Sequence, residues 1–100
     1  MTADNLLELT RLFYQLEVEA ELRGTKCKVT IQFRDGERSD LEIVSTTHLI
    51  LEANVWAIPL LPDGTASSDG GIQFWLEDVQ ELTNYDSKHC IFRADTRLHS

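Results

Sequence analysis

Through the first 23 residues apolar side chains return every third or fourth position, at Leu6, Leu9, Phe13, Leu16 and Ala20, with Leu12 widening the stripe. At 3.6 residues per turn that spacing gathers them on one face, and it predicts an amphipathic helix over about 5–23. Asn5, with Glu8 three positions on, reads as the N-cap, and Gly24 as the left-handed residue that ends the helix. Beyond Gly24 the period drops to two. Cys27, Val29, Ile31 and Phe33 alternate with Lys26, Lys28, Thr30, Gln32 and Arg34, the pattern of a half-buried strand over about 26–34. After an Asp-Gly turn, Leu41 and Ile43 alternate with Asp40 and Glu42 in a second strand over about 40–46.

The turn fixes how these two strands can pair. A two-residue Asp35-Gly36 loop would set Ile31 against Asp40 and put a charge in the core, so the loop must hold an odd number of residues. A three-residue loop aligns Ile31 with Leu41; a five-residue loop aligns Phe33 with Leu41 and Arg34 with Asp40, and is preferred for that charge pair. Either version needs Gly36 at positive φ. The basic row Lys26, Lys28 and Arg34 then faces an acidic row, giving a neutralised sheet face.

"HLILEANVWAIPLL" is too β-branched for a good helix and reads as strands at about 47–52 and 54–60, joined tightly at Glu52, Ala53 and Asn54, with Pro59 at an edge or strand end. "LPDGTASSDGG", 61–71, reads as a mobile surface loop. In the strand at about 71–76, Ile72, Phe74 and Leu76 point inward and throw Trp75 to the other face. Glu77 to Leu82 resembles a short or single helical turn, with Val79 and Leu82 over the core. A last strand runs over about 89–94, and "DTRLHS" should fray. The fold class is therefore α+β in a single domain, 1–100: an N-terminal amphipathic helix followed by an antiparallel sheet of about five strands, either closed as a small barrel or open with the helix on one face.

Composition narrows the function. At 42% hydrophobic residues, the chain can bury a real core. No apolar run approaches the roughly 20 residues of a membrane span, and "MTADNLLELTRLF" lacks the basic and small-residue features of a secretory signal, so the expected location is cytoplasmic. A net charge of -8 repels phosphate, which argues against direct nucleic acid and against membranes, and for a protein partner with a basic surface.

Chemical motifs are sparse. Cys27 and Cys90 lie 63 positions apart in alternating stretches and read first as two buried, reduced thiols, with a disulfide as the next reading and a catalytic thiol last. Cys27, Cys90, His48 and His89 lack the paired spacing of a structural zinc site, and nothing in the sequence sets either cysteine beside His48 as a nucleophilic pair. Glu77, Asp78 and Glu81 read as a solvated acidic turn rather than an acid–base couple. No phosphate-binding or hydrolase motif occurs, so no cofactor, metal or catalytic residue is expected.

Surface features remain. An exposed Trp75 beside Glu77, Asp78 and Glu81 would anchor an interface, aided by the acid end of the helix, Glu17 and Glu21, and by Asp63 and Asp69 of the loop. Glu17, Glu19 and Glu21 crowd the end of the helix that the macrodipole makes unfavourable for acid.

The order of elements and the turn "FRDG" resemble the small Sm-like and SH3-like β-barrels. The resemblance implies a small barrel but not RNA binding, because "STTHLILE" has no match for the Asp and Asn with which Sm proteins contact RNA, and "SDLEIV" lacks their Gly. The acidic Rof-type Rho inhibitors, Sm-like barrels that act on a protein, are similar in element order and sign of charge. The expected function is a non-catalytic protein-binding module, an acidic inhibitor or adaptor that occludes a basic surface of a nucleic-acid-handling protein. The alternative is a structural homo-oligomer, formed through a strand edge or the leucine-rich helix, with no small-molecule chemistry.

Overall fold

The period-3.6 stripe folds as helix α1 (Ala3–Arg23) in a computed structural model that describes residues 3–45 and 54–94. Leu9 and Phe13 are fully buried, while Leu6, Leu12 and Leu16 flank them half-buried. Gly24 at φ +66° ends the helix: its amide donates to Glu21 O, and the Thr25 amide donates to Ala20 O at 2.9 Å. These two bonds satisfy carbonyls that the last turn leaves without partners. Asn5, expected as the N-cap, lies inside the helix, which begins two residues earlier.

Among the described residues six strands follow: β1 (Lys28–Phe33), β2 (Arg38–Ser45), β3 (Asn54–Pro59), β4 (Ile72–Trp75), β5 (Val79–Asn84) and β6 (Cys90–Arg93). They form one antiparallel sheet in the order β4-β3-β2-β1-β5-β6. The fold is α+β with an open sheet. β4 and β6 are its two end strands, so the closed-barrel alternative is not realised.

Val29, Ile31, Leu41, Val55, Ala57, Val79 and Leu82 share the inner face with Phe74 and Phe92, and all are buried against Leu9 and Phe13. Removing each large aliphatic side chain from water contributes about 1.5–3 kcal/mol, which is what holds the helix to the sheet. Phe74 joins the parts, with its ring centroid 6.2 Å from Phe13 and 5.5 Å, edge-on, from Phe33.

The β1–β2 register differs from both sequence-based alignments. Val29 pairs with Leu41, Thr30 with Asp40 and Ile31 with Ser39. The loop holds three residues, Arg34, Asp35 and Gly36, one position earlier than the three-residue alternative. Gly36, at φ +95°, takes the left-handed last place of the loop, and Asp35 Oδ1 accepts the Glu37 amide at 2.8 Å. The loop length is odd, so every side chain keeps its face. The preferred Arg34–Asp40 pair is not formed; Asp40 accepts the Thr30 hydroxyl at 2.6 Å instead.

Three further expectations need correction. The pattern over 77–82 predicts a turn, but only Leu76–Asp78 form one, a single 3-10 turn, and β5 starts at Val79. The first half of the expected mobile loop 61–71 is tied down: Leu61 and Ser67 amides donate to Thr65 O and Pro59 O, and Lys28 Nζ donates to Gly64 O at 2.7 Å. Cys90, expected to be buried, is exposed on the outer face. The strand expected at 47–52, its junction at Glu52 and Ala53, and the tail "DTRLHS" lie outside the described residues.

Candidate functional site

β4 positions the aromatic anchor. Phe74 turns inward, so its neighbour Trp75 turns outward and stays 51% exposed. Trp56 of β3 is outward as well, 42% exposed, and pairs with Gln73, which makes Trp75 its diagonal neighbour on the same face. Below them the polar atoms are satisfied: Gln73 Nε2 donates to the buried Asn54 Oδ1 at 2.9 Å. The pair thus occupies a corner at one end of the sheet.

Carboxylates surround that corner. Trp75 and Asp78 share a shallow cavity of about 340 Å³ with Asp35 and Glu37, over a floor of Phe33 and Phe74. Among the described residues Arg34 is the one cation lining it, and its amide donates to Asp78 O at 2.9 Å, which ties the β1–β2 turn to the turn after β4. Glu77 is adjacent and exposed. The sequence placed Trp75, Glu77 and Asp78 together; Trp56 joins Trp75 through the β3–β4 pairing, and Asp35 and Glu37 reach it only through the curl of the sheet.

The other anticipated site residues lie elsewhere. Glu81 sits on the outer face of β5 and pairs with Arg93 at 3.3 Å. It borders an open, mixed-charge cavity of about 540 Å³ that also contains Arg38, Asp40 and Lys88. The cations Arg38, Lys88 and Arg93 face the carboxylates of Asp40 and Glu81 there, so this face is largely neutralised rather than acidic. Asp63 belongs to the tied turn, where the Thr65 hydroxyl and amide hold its carboxyl below the usual carboxylate value. Asp69 is exposed further along that segment, and its amide donates to Ser67 Oγ. Glu21 is exposed near the end of α1, and Glu17 is half-buried one turn earlier.

Glu17 and Glu19 act on Cys27. Burial, and after it the negative charges of Glu17, Glu19 and Glu42, push that thiol up to about 11, so at neutral pH it is a protonated small hydrophobe with reduced nucleophilic character. Both cysteines are free. His89 lines a groove of about 480 Å³ with Leu12, Leu16 and Ile91, between α1 and the β5–β6 turn, whereas Cys90 faces the opposite side of the sheet. His48 lies outside the described residues. Among the described residues no group of three or more His, Cys, Asp or Glu side chains is placed to hold a metal ion, and no helix is long and apolar enough to cross a membrane.

Comparisons of the chain with family models, with curated proteins and with solved structures returned no match. The chemistry of the surface has to carry the functional reading.

Proposed function

We propose that the protein is a non-catalytic, cytoplasmic protein-binding module that covers a basic surface of a partner. The observation that supports this reading is the exposed Trp75, which shares a cavity with Asp35, Glu37 and Asp78, has Glu77 two residues on in the chain, and has the exposed Trp56 as its diagonal neighbour on the next strand. Indoles supply large contact area and a negative π-face that attracts Lys and Arg side chains. The carboxylates add complementary charge, which accelerates encounter with a basic partner and repels acidic competitors. A nucleic-acid-handling protein presents such a basic surface, and occupying it is inhibition by occlusion.

Capture experiments with wild-type and Trp75→Ala bait test this. Complexes would form at about 0.1 M salt, where the screening length is about 10 Å, and be washed at about 1 M, where it is about 3 Å. The expected result is a basic protein held by wild type, lost in the high-salt wash and not recovered on Trp75→Ala. Retention of the same protein by Trp75→Ala, or through the high-salt wash, refutes the reading.

A further inference from the structure

Helix α1 carries a second apolar stripe, on the side away from the sheet. Leu7, Val18 and Leu22 are 71%, 52% and 82% exposed. At 100° per residue they fall within about 60° of one another and roughly opposite the buried Leu9 and Phe13. Arg11 lies in the same stripe. A solvated helix back needs no aliphatic side chains, and a row of them over four turns is the form of a helix–helix seam.

The charges along α1 say what fits this seam. Glu17, Glu19 and Glu21 crowd its C-terminal half, against the helix's own dipole and with Arg23 in the last turn, while Arg11 shares the other half with Asp4 and Glu8. No ion pair joins Arg11 or Glu21 to another described residue. A second copy running parallel would align the three glutamates with themselves. An antiparallel copy opposes the two dipoles, sets each glutamate trio away from its own image, and brings each Arg11 alongside Glu19 and Glu21 of the other chain.

We propose that the outer face of α1 is a self-association surface on which a second copy of this chain packs antiparallel, with Leu7 of one copy against Leu22 of the other. The seam is independent of the Trp75 corner and leaves it open. Three aliphatic side chains per copy make an interface at the small end of specific ones, so the dimer forms at micromolar concentration or above.

Sedimentation equilibrium of the full chain over a wide concentration range tests the association. The expected mass rises from one chain to two, the Leu7→Gln/Leu22→Gln variant stays at one, and Arg11→Glu raises the dissociation constant about tenfold or more. These side chains are exposed, so the variants keep the wild-type circular dichroism spectrum and melting point. Orientation is read by cross-linking in a Cys90→Ser background. Chains carrying Leu7→Cys join chains carrying Leu22→Cys, while neither joins its own kind, because like positions are roughly 22 Å apart along antiparallel helices. A one-chain mass at every concentration, a dimer that survives Leu7→Gln/Leu22→Gln, or self-cross-linking of Leu22→Cys overturns the proposal. Trp75→Ala should dimerise as wild type does; loss of the dimer there would shift self-association to the indole corner and overturn it too.

Discussion

Thiol reactivity gives a quantitative check on the junction between the helix end and β1. Cys90 is exposed, and Cys27 is half-buried near Glu17, Glu19 and Glu42 with its pKa moved from 9.0 to about 11. In a Cys90→Ser variant the only thiol left is Cys27. A rise from 9.0 to about 11 reduces its thiolate about 100-fold at any pH below 9. A more basic thiolate is intrinsically more nucleophilic, with a Brønsted slope of about 0.4–0.5, which returns about 6–10-fold. The net slowing from charge and desolvation is therefore about tenfold, and steric cover adds to it.

Reaction with dithionitrobenzoate at pH 8, native against denatured in urea, is the assay. A ratio above about ten is expected, and a ratio below about three would refute the placement of Cys27 among those carboxylates. The raised pKa also affects folding. Below pH 9 the thiol is protonated in both states; between 9 and 11 the unfolded chain releases a proton that the folded chain keeps. Stability therefore falls through that window, by on the order of 2–3 kcal/mol in total, and the extra slope should vanish in Cys27→Ala.

Phe13→Ala removes a fully buried ring from between helix and sheet and should cost about 3–5 kcal/mol in urea denaturation. A cost near 1 kcal/mol would mean that α1 is not docked. Gly36→Ala forces a side chain into φ +95° and should cost about 1 kcal/mol or more; no loss would argue for a different β1–β2 loop. Trp75→Ala, at an exposed site, should shift stability by less than about 1 kcal/mol, so that binding lost in this variant is not lost folding. Arg93→Ala breaks an ion pair whose arginine is largely exposed, and thermal melting should record a loss below about 1 kcal/mol.

The helix, the alternation of β1 and β2 and the outward turn of Trp75 were legible because each depends on side-chain period alone. Pairing register was not, because a period of two fixes the face and leaves every even shift equivalent; the left-handed place taken by Gly36 decides among them. β5 was missed for a related reason. Val79 and Leu82, three apart, mimic a helical turn, but β1 sets Phe33 against Val79 and the adjacent Gln32 against Glu81, so Gln80 is an extra residue in a bulge. At β6, Phe92 pairs with Leu82 and Cys90 with the adjacent Thr83, and the bulged Ile91 turns Cys90 outward. At the site, Asp35 and Glu37 reach Trp75 only because the sheet curls far enough for Phe33 to meet Phe74, a distance no local pattern encodes.

The strand order also imposes an order of events on folding. β1 is central, yet only β2 is its close neighbour in sequence; Ile31 must wait for Leu82 before its other side is paired. On a ribosome the helix and the β1–β2 hairpin emerge first, with one strand edge bare and Val29 and Ile31 lacking half their cover. Closing so long a loop before any reward makes this the slow step, and the half-made sheet is the species at risk of pairing with a neighbour. The acidic excess that shapes the mature surface would protect the chain in that interval too, since incomplete chains of like charge repel one another before their edges can meet.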